Sequence, residues 1–227
     1  MNKKLFLLPL AALLLAGCTA NGQQSKEQSK EQSGSGSQQS GLVANYEKVA
    51  TPTNNMEVVL GVYKPDTKFN SGKENEFTGG YVYFSGTANA KNPWYFNVVE
   101  SEVEEEAKLE GYLSEELEAK VGKITLEQNE NETWGLVSGD KYIGMYKSGT
   151  HYSLTLGEDG AMSTQEVDDF TFEFEWDTTK ACFKATLGEG DDAKECWIGS
   201  TGTFFSLSAF YAGKGGEQYG GFYTKKA

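Results

Sequence analysis

Tyr142-Ile143-Gly144-Met145-Tyr146-Lys147-Ser148-Gly149-Thr150-His151-Tyr152-Ser153-Leu154-Thr155-Leu156 decides the fold, because it returns in shortened form as Trp197-Ile198-Gly199-Ser200-Thr201-Gly202-Thr203-Phe204-Phe205-Ser206-Leu207-Ser208-Ala209. Each copy is an aromatic-Ile-Gly strand end, a turn, and then Gly-Thr, two ring-bearing residues, Ser and Leu. This is one hairpin used twice, and duplicated hairpins predict a barrel or sandwich with approximate internal symmetry. Two copies are too few for a solenoid.

Outward from the repeat, runs rich in aromatic and β-branched residues recur between Gly and Asn punctuation, the signature of strands. Upstream they are Met56 to Tyr63, Gly80 to Ser85, Trp94 to Val99, Lys123 to Leu126 and Trp134 to Val137; downstream, Phe170 to Trp176 and Gly221 to Thr224. Phe170, Phe172, Phe174 and Trp176 alternate with Thr171, Glu173 and Glu175, as a half-buried strand requires. One interval departs from this pattern. Ser101 to Lys120 is acidic and helix-favouring, Ser101 and Glu104 have capping-box spacing, and Leu109, Leu113, Leu117 and Val121 form a stripe for the sheet. The expected fold is therefore mainly β, an antiparallel β-barrel or sandwich with duplicated hairpins and one acidic helix, open to a break at Gly111.

Cys182 and Cys196 flank a turn-rich Gly188-Glu189-Gly190-Asp191-Asp192. A reversal centred near Glu189 sets them opposite one another, which predicts a structural disulfide, with free thiols or metal ligation as the alternatives. Two cysteines and one distant histidine make a poor zinc site, and no cofactor motif is present.

The N-terminus carries a separate signal. Lys3 and Lys4 precede an apolar run from Leu5 to Ala16, too short to span a bilayer comfortably, and Leu15-Ala16-Gly17-Cys18 places small residues before a cysteine. In these residues the chain resembles the bacterial lipoprotein class. The resemblance implies a signal peptide at 1–17, cleavage before Cys18, and a diacylglycerol or palmitate-type anchor on Cys18 in the cell membrane or outer membrane, facing outward. Thr19, in place of Asp, removes one inner-membrane retention cue. Two or more acyl chains hold a protein stably where one holds it marginally. Residues 18–41 are the lipidated cysteine and a Ser/Gln/Gly tether with an SKEQSKEQS repeat and no large apolar side chain. As a coil it spaces residues 42–227, read as one extracytoplasmic domain, on the order of 25 Å from the lipid.

Charge excludes several classes. The chain holds 33 acids, 20 lysines and no arginine, and loss of Lys3 and Lys4 takes the mature charge to about −15. Nucleic-acid binding needs a basic stripe and guanidinium contacts, and docking on anionic lipid needs a polybasic patch.

With Leu60-Gly61-Val62-Tyr63 upstream, the phrases Gly139-Asp140-Lys141-Tyr142-Ile143, Ser148-Gly149-Thr150-His151 and Trp197-Ile198-Gly199-Ser200-Thr201-Gly202-Thr203-Phe204 resemble an uncharacterised all-β module recurrent in secreted and lipid-anchored proteins of gut-type bacteria. The resemblance spans most of residues 56–210 and implies an extracytoplasmic accessory module without established catalytic residues.

An inventory of the residues points the same way. His151 is the single histidine, and the second repeat has Phe204 in its place, so it reads as a polar-face residue and not as the base of a hydrolase. Carboxylate pairs drawn from Asp168, Asp169, Glu173 and Glu175 are what an acidic chain offers by chance. The Gly157-Glu158-Asp159-Gly160 and Gly188–Asp192 stretches lack EF-hand spacing. Binding is better supported. Aromatic residues are 13% of the chain, and Trp94, Trp134, Tyr211 and Tyr219 fall near turns, where exposed rings can stack on glycans or anchor a surface protein, although core packing explains most of the aromatics without a ligand and a glycan site is the lesser reading. The loop from Tyr211 to Gly221 is the segment to inspect. The expectation is a membrane-anchored binding module rather than an enzyme, with a structural envelope role second and a surface hydrolase third.

Overall fold

Val58-Val59-Leu60-Gly61-Val62 is apolar without alternation, which a strand tolerates only when both faces are covered. A computed structural model shows how; it describes residues 41–65, 79–90, 95–157, 167–201, 206–213 and 215–227. The expected signal peptide, Cys18 and nearly all of the tether, together with Trp94 and Phe204, lie outside the described residues.

The strands in chain order are β1 (Tyr46–Lys48), β2 (Met56–Lys64), β3 (Gly80–Ala88), β4 (Phe96–Glu100), β5 (Lys123–Gln128), β6 (Trp134–Ser138), β7 (Lys141–Ser148), β8 (His151–Gly157), β9 (Asp169–Thr171), β10 (Glu175–Asp177), β11 (Cys182–Leu187), β12 (Lys194–Thr201), β13 (Ser208–Tyr211), β14 (Glu217–Tyr219) and β15 (Gly221–Lys225). Every pairing is antiparallel. A ten-stranded sheet runs β1-β15-β2-β5-β6-β7-β8, with β3 and β4 beyond β2 and β9 on β7; a five-stranded sheet runs β10-β11-β12-β13, with β14 on β12. The arrangement is sandwich-like and not a closed barrel.

One face of β2 turns Val58, Leu60 and Val62 into the main core with Phe84, Phe183, Ile198 and Phe222. The other turns Val59 into a smaller core with Tyr83, Tyr223, Leu113, Leu117 and Val121, supplied partly by the acidic segment. That segment is not one helix. It forms α1 (Glu104–Lys108) and α2 (Glu115–Glu118), interrupted where Gly111 takes φ 73° and packs so closely on the Tyr46 carbonyl that a Cβ would lie 2.5 Å from its oxygen. The expected Ser101 cap also moves: Val103 precedes α1 without a capping side chain, and Ser101 Oγ donates to Glu106 Oε2 at 2.7 Å. Ser114 instead caps α2 by accepting from the Leu117 amide. The stripe of Leu113, Leu117 and Val121 survives the break, because packing against the sheet decides it.

The repeat is visible in the pairing. Ile143 faces Leu156 and Gly144 faces Thr155, just as Ile198 faces Ala209 and Gly199 faces Ser208. A third aliphatic-Gly pair, Leu60-Gly61 in β2, behaves in the same way. A Cβ on Gly61, Gly144 or Gly199 would lie 2.7–2.8 Å from a ring carbon of Tyr83, Phe172 or Phe210 respectively. Near each of these glycines the strand also exchanges one neighbour for another along one edge: β5 for β3 on β2, β6 for β9 on β7, and β11 for β14 on β12.

The expected Cys182–Cys196 cross-link is not formed. Leu187 faces Lys194 across a 3-10 turn at Gly190–Asp192, so Cys196 faces Ala185, three residues from Cys182, and Cys182 faces Asp177. An odd offset also puts the two side chains on opposite sides of their sheet. Both are buried free thiols, and Cys182 Sγ lies 3.2 Å from the Ile198 carbonyl.

Candidate functional site

At its C-terminal end β2 carries Lys64, in step with Val58, Leu60 and Val62 on the inward face. The side chain is fully buried and reaches toward β12 and β14, donating from Nζ to Ser200 Oγ at 2.8 Å and to Gln218 Oε1 at 2.5 Å. Burial lowers its pKa to about 8. At neutral pH about nine-tenths of such groups still carry the proton, so Lys64 is chiefly a charged donor and the Ser200 oxygen its acceptor.

Ser200 forms part of the wall of a cleft of about 250 Å³. Three further hydroxyls line it, from Thr201 at the end of β12 and from Ser206 and Ser208 around the start of β13. Ala209 of β13 and four rings supply the rest: His151 and Tyr152 from the start of β8, Phe210 from β13, and Tyr95 ahead of β4. The cleft therefore sits where the two sheets meet. Two contacts fix that meeting: the Phe96 amide donates to the Leu207 carbonyl at 2.9 Å, and Ser208 Oγ donates to the Tyr152 carbonyl at 3.5 Å.

The residues singled out in the sequence separate into three groups. Tyr211 packs edge-on to Tyr152, with ring centroids 5.3 Å apart, and so stands beside the cleft. Tyr219 lies edge-on to Phe210 at 5.1 Å and to Trp197 at 5.8 Å, with Lys180 Nζ 4.8 Å from its ring centre, so it supports the cleft from behind. Trp134 is only 6% exposed and packs in the core beside Phe183, where no ligand can stack on it. His151 is exposed, as a polar-face residue should be, yet it also lines the cleft. Sequence reasoning missed Lys64 and Ser200 altogether.

A second hollow lies between Glu100, Glu102, Glu106 and Glu116 near α1 and α2; burial and the neighbouring Glu102 raise the pKa of Glu100. Among the described residues no group of three or more His, Cys, Asp or Glu side chains converges to hold a metal, and no helix is long and apolar enough to cross a membrane. Comparison with protein-family models, curated proteins and solved structures found no match.

Proposed function

We propose that the protein is a lipid-anchored extracytoplasmic binding module whose cleft takes a small polyhydroxylated ligand, of the size of one or two sugar rings. The observation that carries this reading is the lining itself. The half-buried Tyr152 ring lines the cleft beside four aliphatic hydroxyls, with the buried Phe210 in its wall, so apolar contact and hydrogen bonding converge on the same small volume. A volume of about 250 Å³ lies just below the ~300 Å³ lower bound of drug-sized pockets, which favours a short saccharide over an extended polymer. The lipobox at Leu15–Cys18 and the polar tether support the anchoring half.

Ser200 beside Lys64 has the spacing of a nucleophile with its base, but a lysine that is mostly protonated donates to the hydroxyl instead of accepting from it. The pair therefore favours binding over acyl transfer.

Two measurements test the two halves. Full-length protein partitions with membranes in the expressing cell, and Cys18→Ser moves it to the soluble fraction; a variant still in the membrane fraction would refute the anchor. Titration with a panel of mono- and disaccharides raises the melting temperature for at least one of them, and Tyr152→Ala weakens that binding tenfold or more through loss of ring stacking. A panel with no saturable response would refute the cleft.

A further inference from the structure

Gly61 of β2 and Gly221 of β15 lie opposite one another on the face of the large sheet turned away from the main core. Neither has room for a side chain: a Cβ on Gly61 would lie 2.7 Å from a ring carbon of Tyr83, and one on Gly221 would lie 2.5 Å from the Tyr223 hydroxyl. The paired glycines thus form a bed on which the rings of Tyr83 and Tyr223 pack edge to face, 6.4 Å between centroids. The cluster continues along β2 and β3. Tyr81 lies 6.5 Å from Tyr83 and, at 87°, 6.4 Å from Tyr223; Tyr63, opposite Tyr81 in register, closes on it at 5.2 Å and 66°. Exposure rises along the same path, from the buried Tyr83 and Tyr223 through the half-buried Tyr81 to Tyr63, which is 45% exposed. Two rings set at a steep angle therefore reach the surface as one corner.

A carboxylate stands at this cluster. Glu110, between α1 and α2, accepts from the Tyr223 hydroxyl at 2.9 Å. Burial first and Glu110 second raise the pKa of both Tyr81 and Tyr223, so the negative field reaches the rings. Around it, Glu102 to Lys120 holds eight glutamates against two lysines, and each lysine is paired with the glutamate four residues before it. Tyrosine rings beside a carboxylate in an acidic field match a cation whose charge is spread over methyl groups, which ring quadrupoles attract. An anion is repelled there, and a neutral sugar gains nothing from the field. We infer that the Tyr63–Tyr81 corner binds an organic cation of the trimethylammonium type, its methyl groups against the two rings and Glu110 as its counter-ion. Tyr83 and Tyr223 are positioning residues that hold Tyr81 and Glu110. The site shares no residue with the cleft and stands independently of the saccharide reading.

The test is a titration of the full mature protein with choline and with its neutral isostere, in which a carbon replaces the quaternary nitrogen, followed by NMR shifts of the Tyr63 and Tyr81 ring protons. The expected result is saturable shifts with choline, bound at least tenfold more tightly than the isostere. Tyr63→Ala, at a largely exposed side chain, weakens choline binding tenfold or more, whereas Tyr63→Phe keeps the ring and stays within about threefold. Glu110→Gln keeps the acceptor for Tyr223 and weakens binding at least threefold, with the melting temperature unchanged. Phosphocholine separates two sources of the same cation: binding as tight as that of choline assigns the site to a lipid head group, and weaker binding, from repulsion between the phosphate and the acidic segment, to the free cation. Equal affinity for choline and its isostere, choline binding that survives Tyr63→Ala, or no saturable shift up to tens of millimolar overturns the inference and leaves the cleft reading as it was.

Discussion

Phe183→Ala is expected to destabilise the domain by about 3–5 kcal/mol, the range for truncating a buried phenylalanine. Phe183 on β11 is completely buried. Its ring meets Trp176 edge-on at 4.8 Å within its own sheet, and Phe222 of the other sheet at 4.8 Å with planes at 90°; Trp134 of that other sheet lies 6.3 Å away. Truncation therefore removes the side chain that joins the two layers, and each edge-on pair adds about 0.5–1.5 kcal/mol beyond simple burial. Against a total stability of about 5–15 kcal/mol this is a large fraction. Urea unfolding should show a lower midpoint with an unchanged slope. Phe170→Ala, at a side chain 45% exposed, is the control and should cost less than about 1 kcal/mol. Equal effects from the two variants would mean that Phe183 does not fuse the sheets.

The second large effect is an alkaline limit set by groups that must stay neutral. Lys64, with its pKa lowered to about 8, has shed its proton in the folded state while the unfolded lysine still holds one, so stability rises from pH 8 up to the unfolded value. The thiols act in the opposite sense. Burial pushes Cys182 and Cys196 up to about 12, so above pH 9 the unfolded chain loses two protons that the folded chain keeps, and stability falls. Above pH 10 four buried tyrosines join them, Tyr146 raised by burial among them. Tyr46 is raised by burial and the nearby Glu118; Tyr83 chiefly by burial; and Tyr223 by burial and then by Glu110, to which its hydroxyl donates at 2.9 Å. The balance gives maximum stability near pH 9. With each unmatched proton worth about 1.4 kcal/mol per pH unit, six groups together give a slope on the order of 6–8 kcal/mol per unit above pH 10. Urea midpoints from pH 7 to 11 should rise slightly, turn near 9 and collapse by about pH 11. Replacing both cysteines by alanine should move the turn toward pH 10. A flat profile above pH 9 would contradict the burial of these groups.

Much of the fold was legible in side-chain pattern. The aliphatic-Gly strands and the duplicated hairpin kept their register, because alternation fixes which face enters the core. The cysteine pair shows where pattern stops. The reversal lies in a loop from Gly188 to Ala193 that offers several centres, and the observed 3-10 turn shifts the register enough to send the two thiols to opposite faces. The acidic segment kept its buried stripe but lost its continuity, since Gly111 closes on the backbone of a distant residue, Tyr46, that no local rule reveals. The site was less accessible. Period-two counting from Val58 through Leu60 and Val62 lands on Lys64, a signal available in the sequence and overlooked because lysine is normally a surface residue. Its partners Ser200 and Gln218 lie 136 and 154 residues away, and only the pairing of β2, β12 and β14 assembles them. Trp134 and Tyr219 were drawn inward by the same demand for aromatic core that brings Phe210 and Tyr152 to the cleft.

β15 has a further meaning in the order of synthesis. Among the described residues it is the only strand paired with β1, and it pairs Val59 to Gly61 of β2; its partners Lys48 and Val59 lie roughly 160–175 residues earlier in the chain. Gly220 joins it directly to β14, so the same few residues complete both sheets. Until they have emerged from the ribosome, β1 has no strand to pair with and one edge of β2 stays open, although β2 can already pair with β3 and β5. A nascent chain of this design carries an unpaired early edge until its last strand is made, and that edge needs shielding until then.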